Sequence, residues 1–236
     1  MNKKTKIWLM IATSLVLIGC IIFGGTMTMF GWNFKKLTTT EYETNTYELE
    51  KEYQEISIVT KTADIFVAPS QNEKTSVVCY EPIHAKHQVT VENGVLIIRV
   101  IDERKWYDHV GVNFETPKLS VFLPLNEYGK ISVNGNTGKV DIAKEFSFDT
   151  IDVIQTTGNV TSYASVSNTM NVKTTTGSIN VKNASANTVH LSVTTGKITA
   201  SSLKGNSDIT INANDTKVLG NIHKINSPKD ISDKLY

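Results

Sequence analysis

From residue 131 onward, apolar side chains recur in a fixed frame. Residues 131–142 read ISVNGNTGKVDI, 151–162 IDVIQTTGNVTS, 170–181 MNVKTTTGSINV, 189–200 VHLSVTTGKITA and 209–220 ITINANDTKVLG. Aligned on Gly138, Gly158, Gly177, Gly196 and Thr216, the copies step by 20, 19, 19 and 20 residues. Seven positions before that residue stand Ile131, Ile151, Met170, Val189 and Ile209. Five before it stand Val133, Val153, Val172, Leu191 and Ile211, and two after it Val140, Val160, Ile179, Ile198 and Val218. The first two columns lie two residues apart, which is the period of a strand with one buried face. Between them Ser132, Asp152, Asn171, His190 and Thr210 are polar and are expected to face outward. Gly after Thr supplies a turn with positive φ. Thr216 departs from this and predicts an altered turn in the last copy.

Residues 56–67, ISIVTKTADIFV, fit the same frame, with Ile56, Ile58 and Ile65 in the three columns and Ala63 in the glycine position. This copy precedes the array by an insertion. Within the insertion, HQVTVENGVLIIRV (87–100) reads as two alternating runs joined by Asn93-Gly94, a hairpin signal. KLSVFLP (118–124) is a further strand ending at Pro124. The pattern predicts an all-β fold, a single-stack, β-helix-like β-solenoid with about 19–20 residues per coil. One coil cannot bury its own face, so the array is expected to be cooperative. A β-sandwich of short strands is the structural alternative.

Ahead of the repeats, residues 7–30 form an uncharged run of 24, IWLMIATSLVLIGCIIFGGTMTMF. At about 1.5 Å per residue it exceeds the roughly 30 Å hydrocarbon thickness, and it predicts one N-terminal transmembrane helix. Lys3, Lys4 and Lys6 precede it; Trp32, Phe34, Lys35 and Lys36 follow as interfacial anchors. The lysine bias and the short leading tail predict a cytoplasmic N-terminus and an extracytoplasmic body. The run is longer than a signal-peptide core and lacks a small-x-small cleavage site. Leu17-Ile18-Gly19-Cys20 also has the form of a lipidation site at Cys20. The apolar Ile21-Ile22-Phe23 that follows favours an intact span, but either reading tethers the body to a membrane. The expected organisation is a cytoplasmic tail (1–6), transmembrane helix (7–30), juxtamembrane linker (31–50), opening strands and hairpin (51–130), β-solenoid repeats (131–225) and C-terminal tail (226–236).

Charge narrows the function. The chain nets +1, yet residues 1–36 hold five lysines and no acid, so the other 200 residues carry 19 basic and 23 acidic groups and net −4. An acidic body argues against binding nucleic acid through its phosphates. Two cysteines, Cys20 and Cys79, exclude a disulfide framework and a four-cysteine zinc site.

No catalytic motif stands out: HExxH, a P-loop, GxSxG and calcium nonapeptides are all missing. No serine of the repeats has a recognisable histidine and acid partner. His84 and His87 are three apart and could contribute to a metal site, but no cysteine or acid is read at ligand spacing nearby, and they are expected to be surface histidines of an exposed loop. Residues 102–109, DERKWYDH, gather charge and aromatics. Trp106 and Tyr107 there are expected either to cap an open end of the stack or to form a recognition patch. The outward Thr, Asn, Lys and Ser ladders are expected to be soluble strand formers, and the glycosylation-like triplets at Asn159, Asn183 and Asn214 incidental. No catalytic, cofactor-binding or metal-binding residue is assigned, and no cofactor is expected.

ISI-x-T-x-TADI-x-V (56–67), followed by copies of V-x-T-TG-x-[IV], resembles the bacterial family DUF4097, labelled "putative adhesin". The helix end FGG-x-M-x-x-x-x-W-x-F (23–34) is similar to that of small Firmicute members. The resemblance spans about residues 1–221 and implies a β-solenoid-like domain outside a Gram-positive membrane, in some relatives tied to envelope stress. It supplies no catalytic residues. The expected function is a single-pass, non-enzymatic interaction module whose partner is a cell-envelope polymer or a membrane protein. A polysaccharide-acting β-helix enzyme and a passive spacer are the alternatives.

Overall fold

The computed structural model describes residues 2–33, 40–105, 115–182 and 186–201, and the backbone alone of 208–212, 215–219 and 225–226. The chain divides into two units, with residues 1–41 and 105–115 in the first and residues 42–104 and 116–236 in the second.

The first unit is built on helix α1, Lys3–Met29. Its 27 residues have a mean hydropathy of 2.4 over the most apolar window, so it is long and apolar enough to cross a membrane. The hydroxyls of Thr13, Thr26 and Thr28 donate to the carbonyls of Leu9, Ile22 and Gly25 on the preceding turn. Hydroxyls satisfied within the helix carry little penalty in lipid. Trp8, Leu15, Val16, Ile21 and Ile22 are all exposed. The helix stops by local geometry. Gly31 has φ +63° and donates to the Thr28 carbonyl, while Trp32 N–H reaches back to Met27 at 2.8 Å. This is the two-bond Schellman closure, with the glycine in the left-handed position.

The second unit is mostly β. One nine-stranded sheet runs β1 (Tyr42–Leu49), β4 (Thr75–Pro82), β7 (Lys118–Leu123), β3 (Asp64–Pro69), β9 (Val140–Ile142), β11 (Val160–Ser162), β13 (Ile179–Lys182), β15 (Lys197–Ser201), β17 (Asp215–Leu219). The other runs β18 (Ile225–Asn226), β16 (Asp208–Asn212), β14 (Thr188–Thr195), β12 (Ser165–Thr176), β10 (Ser147–Thr157), β8 (Glu127–Thr137), β2 (Glu55–Thr62), β6 (Val95–Asp102), β5 (Ala85–Glu92). Pairing is parallel from copy to copy. Among the described residues it turns antiparallel only at one end, where β1 joins β4, β4 joins β7, and β5 joins β6. Both sheets are open.

The apolar columns are the core between the sheets. Ile56, Ile131, Ile151, Met170 and Val189 pair in one row, with Ile58, Val133, Val153, Val172 and Leu191 in the next. Ile65, Val140, Val160, Ile179 and Ile198 pair in the facing sheet. All fifteen are buried. Residues 56–67 therefore stack directly on 131–142, and the insertion between them continues both sheets on the other side of 56–67, with β7 beside β3 and β6 beside β2. Its hairpin turns at Asn93 (φ 51°) and Gly94 (φ 76°), both positive as a type I′ turn requires.

The glycine column has a steric cause. Gly138, Gly158, Gly177 and Gly196 have φ between +139° and +145°, and each stacks on the turn before it. A Cβ on Gly158 would lie 1.7 Å from the Gly138 carbonyl oxygen, and one on Gly138 would lie 1.9 Å from that of Ala63.

Three features depart from the pattern reading. Residues 42–49, expected as linker, form strand β1, whose half-buried Tyr42, Glu43, Asn45, Tyr47 and Leu49 make no aliphatic alternation. Tyr128 and Phe148 pair in register and stack with centroids 5.7 Å apart, adding an aromatic column beyond the repeat frame. In the last copy Thr216, not Val218, stands beside Ile198, and Val218 stands beside Ala200. The first two columns of that copy keep their places, with Ile209 beside Val189 and Ile211 beside Leu191, so only the strand after the turn is shifted, by two residues.

Candidate functional site

Two arrangements in the second unit are candidates. The first is an open groove of about 1450 Å³ formed where four connections leave the sheets together. Its walls come from 49–55, 70–75, 93–95 and 124–128. Its glutamates are Glu50, Glu52, Glu55, Glu73 and Glu127, and its lysines Lys51 and Lys74. Five against two leaves three net negative charges. Lys74 lies 3.3 Å from Glu50, both well exposed, so that pair is worth little.

An aromatic seam floors the groove. Tyr53 stacks on Tyr128 at 6.1 Å, and Tyr128 packs edge-on to Phe146. The Tyr53 and Thr75 hydroxyls meet at 2.5 Å, and Tyr128 donates to the Pro124 carbonyl at 2.8 Å. Burial pushes both phenols up, so they remain neutral donors at physiological pH. Leu125, at the rim, is exposed.

The second arrangement is a buried cluster at the antiparallel end. Cys79 and Glu81 are two apart on β4, so strand alternation turns both inward. The chain then crosses from one sheet to the other through Ile83-His84 and returns His87 on β5 against Glu81. Cys79 and Glu81 are 0% exposed, His87 3% and Thr60 5%. His87 Nδ1 lies 2.6 Å from Glu81 Oε2, which also accepts the His87 backbone N–H at 2.6 Å. Asn45 Nδ2 donates to Glu81 Oε1 at 2.9 Å and to Glu43. Glu43 in turn pairs with Lys86 at 2.6 Å. Thr60 Oγ1 lies 3.0 Å from His87 Nε2, and the Tyr47 hydroxyl donates to the His87 carbonyl.

Burial alone would push the Glu81 carboxyl up. The hydrogen bonds from the His87 ring, Asn45 and the His87 backbone outweigh it and hold that carboxyl below its ordinary value. An ionised Glu81 only accepts, so the network assigns a proton to His87 Nδ1. Burial, helped by the Glu81 charge, pushes the Cys79 thiol up to about 12. Cys79 is therefore a neutral thiol, not an activated nucleophile.

The expectation of two surface histidines thus holds for His84, which is exposed, and fails for His87. A threonine, not a serine, has histidine and acid partners: Thr60, His87 and Glu81 run in hydroxyl–histidine–acid order. Such a relay suits nucleophilic catalysis only if substrate reaches the hydroxyl, and the Thr60 hydroxyl belongs to a buried side chain. The missed signal was Cys79-x-Glu81 with a shared inward face. Of residues 102–109, Trp106, Tyr107, Asp108 and His109 lie outside the described residues. Asp102 accepts from Arg104 at 2.7 and 2.8 Å and from Lys61 at 3.0 Å. Those cations, Arg104 foremost, hold its carboxyl far below the usual range.

An open, mostly parallel β stack with an antiparallel end, carried on the same chain as an apolar helix, defines a repeat-built β domain. The chain belongs to the Toastrack DUF4097 family, which matches residues 53–231. It is similar to the solved structure of a "putative adhesin" from Bacteroides fragilis, with 19% identity and a TM-score of 0.47 over 80% of this chain and 94% of that one. It is also similar to a "putative lipid binding protein" from Parabacteroides distasonis, at 16% identity and a TM-score of 0.35 over 80% and 94%. A "putative adhesin" from Parabacteroides merdae matches at 11% and 0.31 over 80% and 93%. No curated protein matches the chain in sequence.

Proposed function

We propose that this protein is a membrane-anchored, extracytoplasmic interaction module of the cell envelope, and that its acidic groove docks a basic segment of a neighbouring membrane or envelope protein. Helix α1 is the anchor, with Lys3, Lys4 and Lys6 on the cytoplasmic side. The β domain is a solenoid whose coils advance by 19 or 20 residues, as the registers Ile131–Ile151–Met170–Val189–Ile209 support. Its role is display, not catalysis.

The groove carries the reading. Three net negative charges surround an aromatic floor, a complement to lysine or arginine side chains, whose guanidinium or ammonium groups pair with carboxylates and lie over tyrosine rings. Exposed glutamates do this without the desolvation cost of buried ones.

Cross-linking in cells tests it. A photo-reactive residue at Asn126 of the full-length chain should trap a membrane or envelope protein. Reversing Glu52, Glu73 and Glu127 to lysine should abolish the adduct while leaving the far-ultraviolet circular dichroism intact. Absence of any adduct, or one indifferent to the reversal, contradicts the proposal.

A further inference from the structure

We infer that Cys79, Glu81 and His87 form a binding site for a divalent transition-metal ion of the zinc type. Sulfur, oxygen and nitrogen ligand atoms of the three lie within 4.8 Å of one another, and all three residues are buried. Thiolate, carboxylate and imidazole together are a donor set for zinc, and three protein ligands leave a fourth tetrahedral position for water. Calcium and magnesium, which take oxygen ligands, do not suit it.

The surroundings fit ligands more than core. Asn45 and the His87 backbone N–H hold the Glu81 carboxylate, and Glu43 holds Asn45. Thr60 stands on the far nitrogen of the ring. Metal-bound imidazoles and carboxylates are usually oriented by such outer partners. Cys79 makes none of these hydrogen bonds; it packs in the buried core with its sulfur beside the ligand atoms of Glu81 and His87.

Protons and charge balance. The Nδ1 proton of His87 moves to Nε2, and the Thr60 hydroxyl, able to donate or accept, turns to receive it. The Cys79 S–H bond breaks as the metal–sulfur bond forms, and one proton leaves to solvent. A dication with one thiolate and one carboxylate is neutral, as a buried site requires. Nδ1 and Oε2 now lie 2.6 Å apart. Two ligands each roughly 2.0–2.2 Å from zinc at a tetrahedral angle span about 3.4 Å, so this pair opens by under about 1 Å. The cluster lies beside the edge strands β1 and β5, bridged by Tyr47 to His87 and Glu43 to Lys86, and sheet edges open more readily than centres.

The test uses tag-free, full-length protein in detergent, stripped of metal and then incubated with Co²⁺ alone or Zn²⁺ alone. Wild type should retain one ion per chain after desalting. The cobalt form should show thiolate-to-metal charge-transfer absorption, lost in Cys79→Ser. Zinc should raise the thermal midpoint of wild type and of His84→Gln but not of His87→Gln. If the ligand variants do not fold, the wild-type stoichiometry and cobalt spectrum decide alone. Folded wild type that retains no metal, or a cobalt complex without the thiolate band, overturns the inference. So does equal retention by folded Cys79→Ser and His87→Gln.

Discussion

Replacing Gly158 with alanine should break the stack at its tightest point. The new Cβ would lie 1.7 Å from the Gly138 carbonyl oxygen and 2.7 Å from its carbon, so backbone must move. The residue also holds φ +140°, where an L side chain is strained by about 1–3 kcal/mol. Moving the turn stretches Gly158 N–H to Thr176 O, now 2.8 Å, and Gly138 N–H to Thr157 O, now 3.0 Å. Each such bond is worth about 0.5–1.5 kcal/mol net, so strain and bond loss together come to about 2–6 kcal/mol. That is a large share of the roughly 5–15 kcal/mol by which a domain is stable. At about 2–4 °C per kcal/mol, the thermal midpoint should fall by on the order of 10 °C. Gly129→Ala is the internal control. Its Cβ would meet nothing closer than the Gln54 carbonyl oxygen at 3.7 Å. It should leave the midpoint unchanged or raise it slightly, through a less flexible unfolded chain. Thermal melts of both full-length variants, followed by circular dichroism in detergent, make the comparison. A Gly158→Ala melt within a degree of wild type, or an equal fall in both variants, refutes the stacking argument.

Val172→Asp should unfold the repeats, because Val172 is 0% exposed in the middle of a column, whereas Lys173→Asp on the outer face should melt near wild type. Gly135→Ala should destabilise by bringing a Cβ to 2.3 Å from Gln155 Oε1, and Gln155→Ser should rescue it; melts that add without rescue contradict the packing. Asp102→Asn should be less stable than wild type at neutral pH. The depressed folded-state carboxyl contributes stability above its ordinary value of 3.8, and loses it as the pH falls through the lower folded value. The gap between the urea midpoints of the two should therefore narrow in acid, and a constant gap would rule out the ion pairs as its cause.

What was legible in the sequence was whatever repeats. The columns at Ile131, Val133 and Val140 recur with one polar residue between the first two, and period two is visible by eye. Strand β1 was not, because its half-buried positions are shared between tyrosine, glutamate, asparagine and a single leucine. The aromatic column of Tyr128 and Phe148 escaped because it lies outside the repeat frame and has no third aromatic partner in register; Val166 takes that place. The buried cluster was half legible. Cys79 and Glu81 share a face by alternation alone. That His87 returns to meet them depends on β4 and β5 lying in different sheets, which no local pattern encodes. A histidine in a polar stretch reads as surface until its partner across the core is known.

Protease treatment of intact, wall-free cells carrying a C-terminal tag on the full-length chain tests the central claim most directly. Loss of the tag, with a cytoplasmic marker spared, is the expected result and puts the β domain and its groove outside the membrane. A tag that survives until the cells are opened would mean a cytoplasmic domain and would contradict the envelope role.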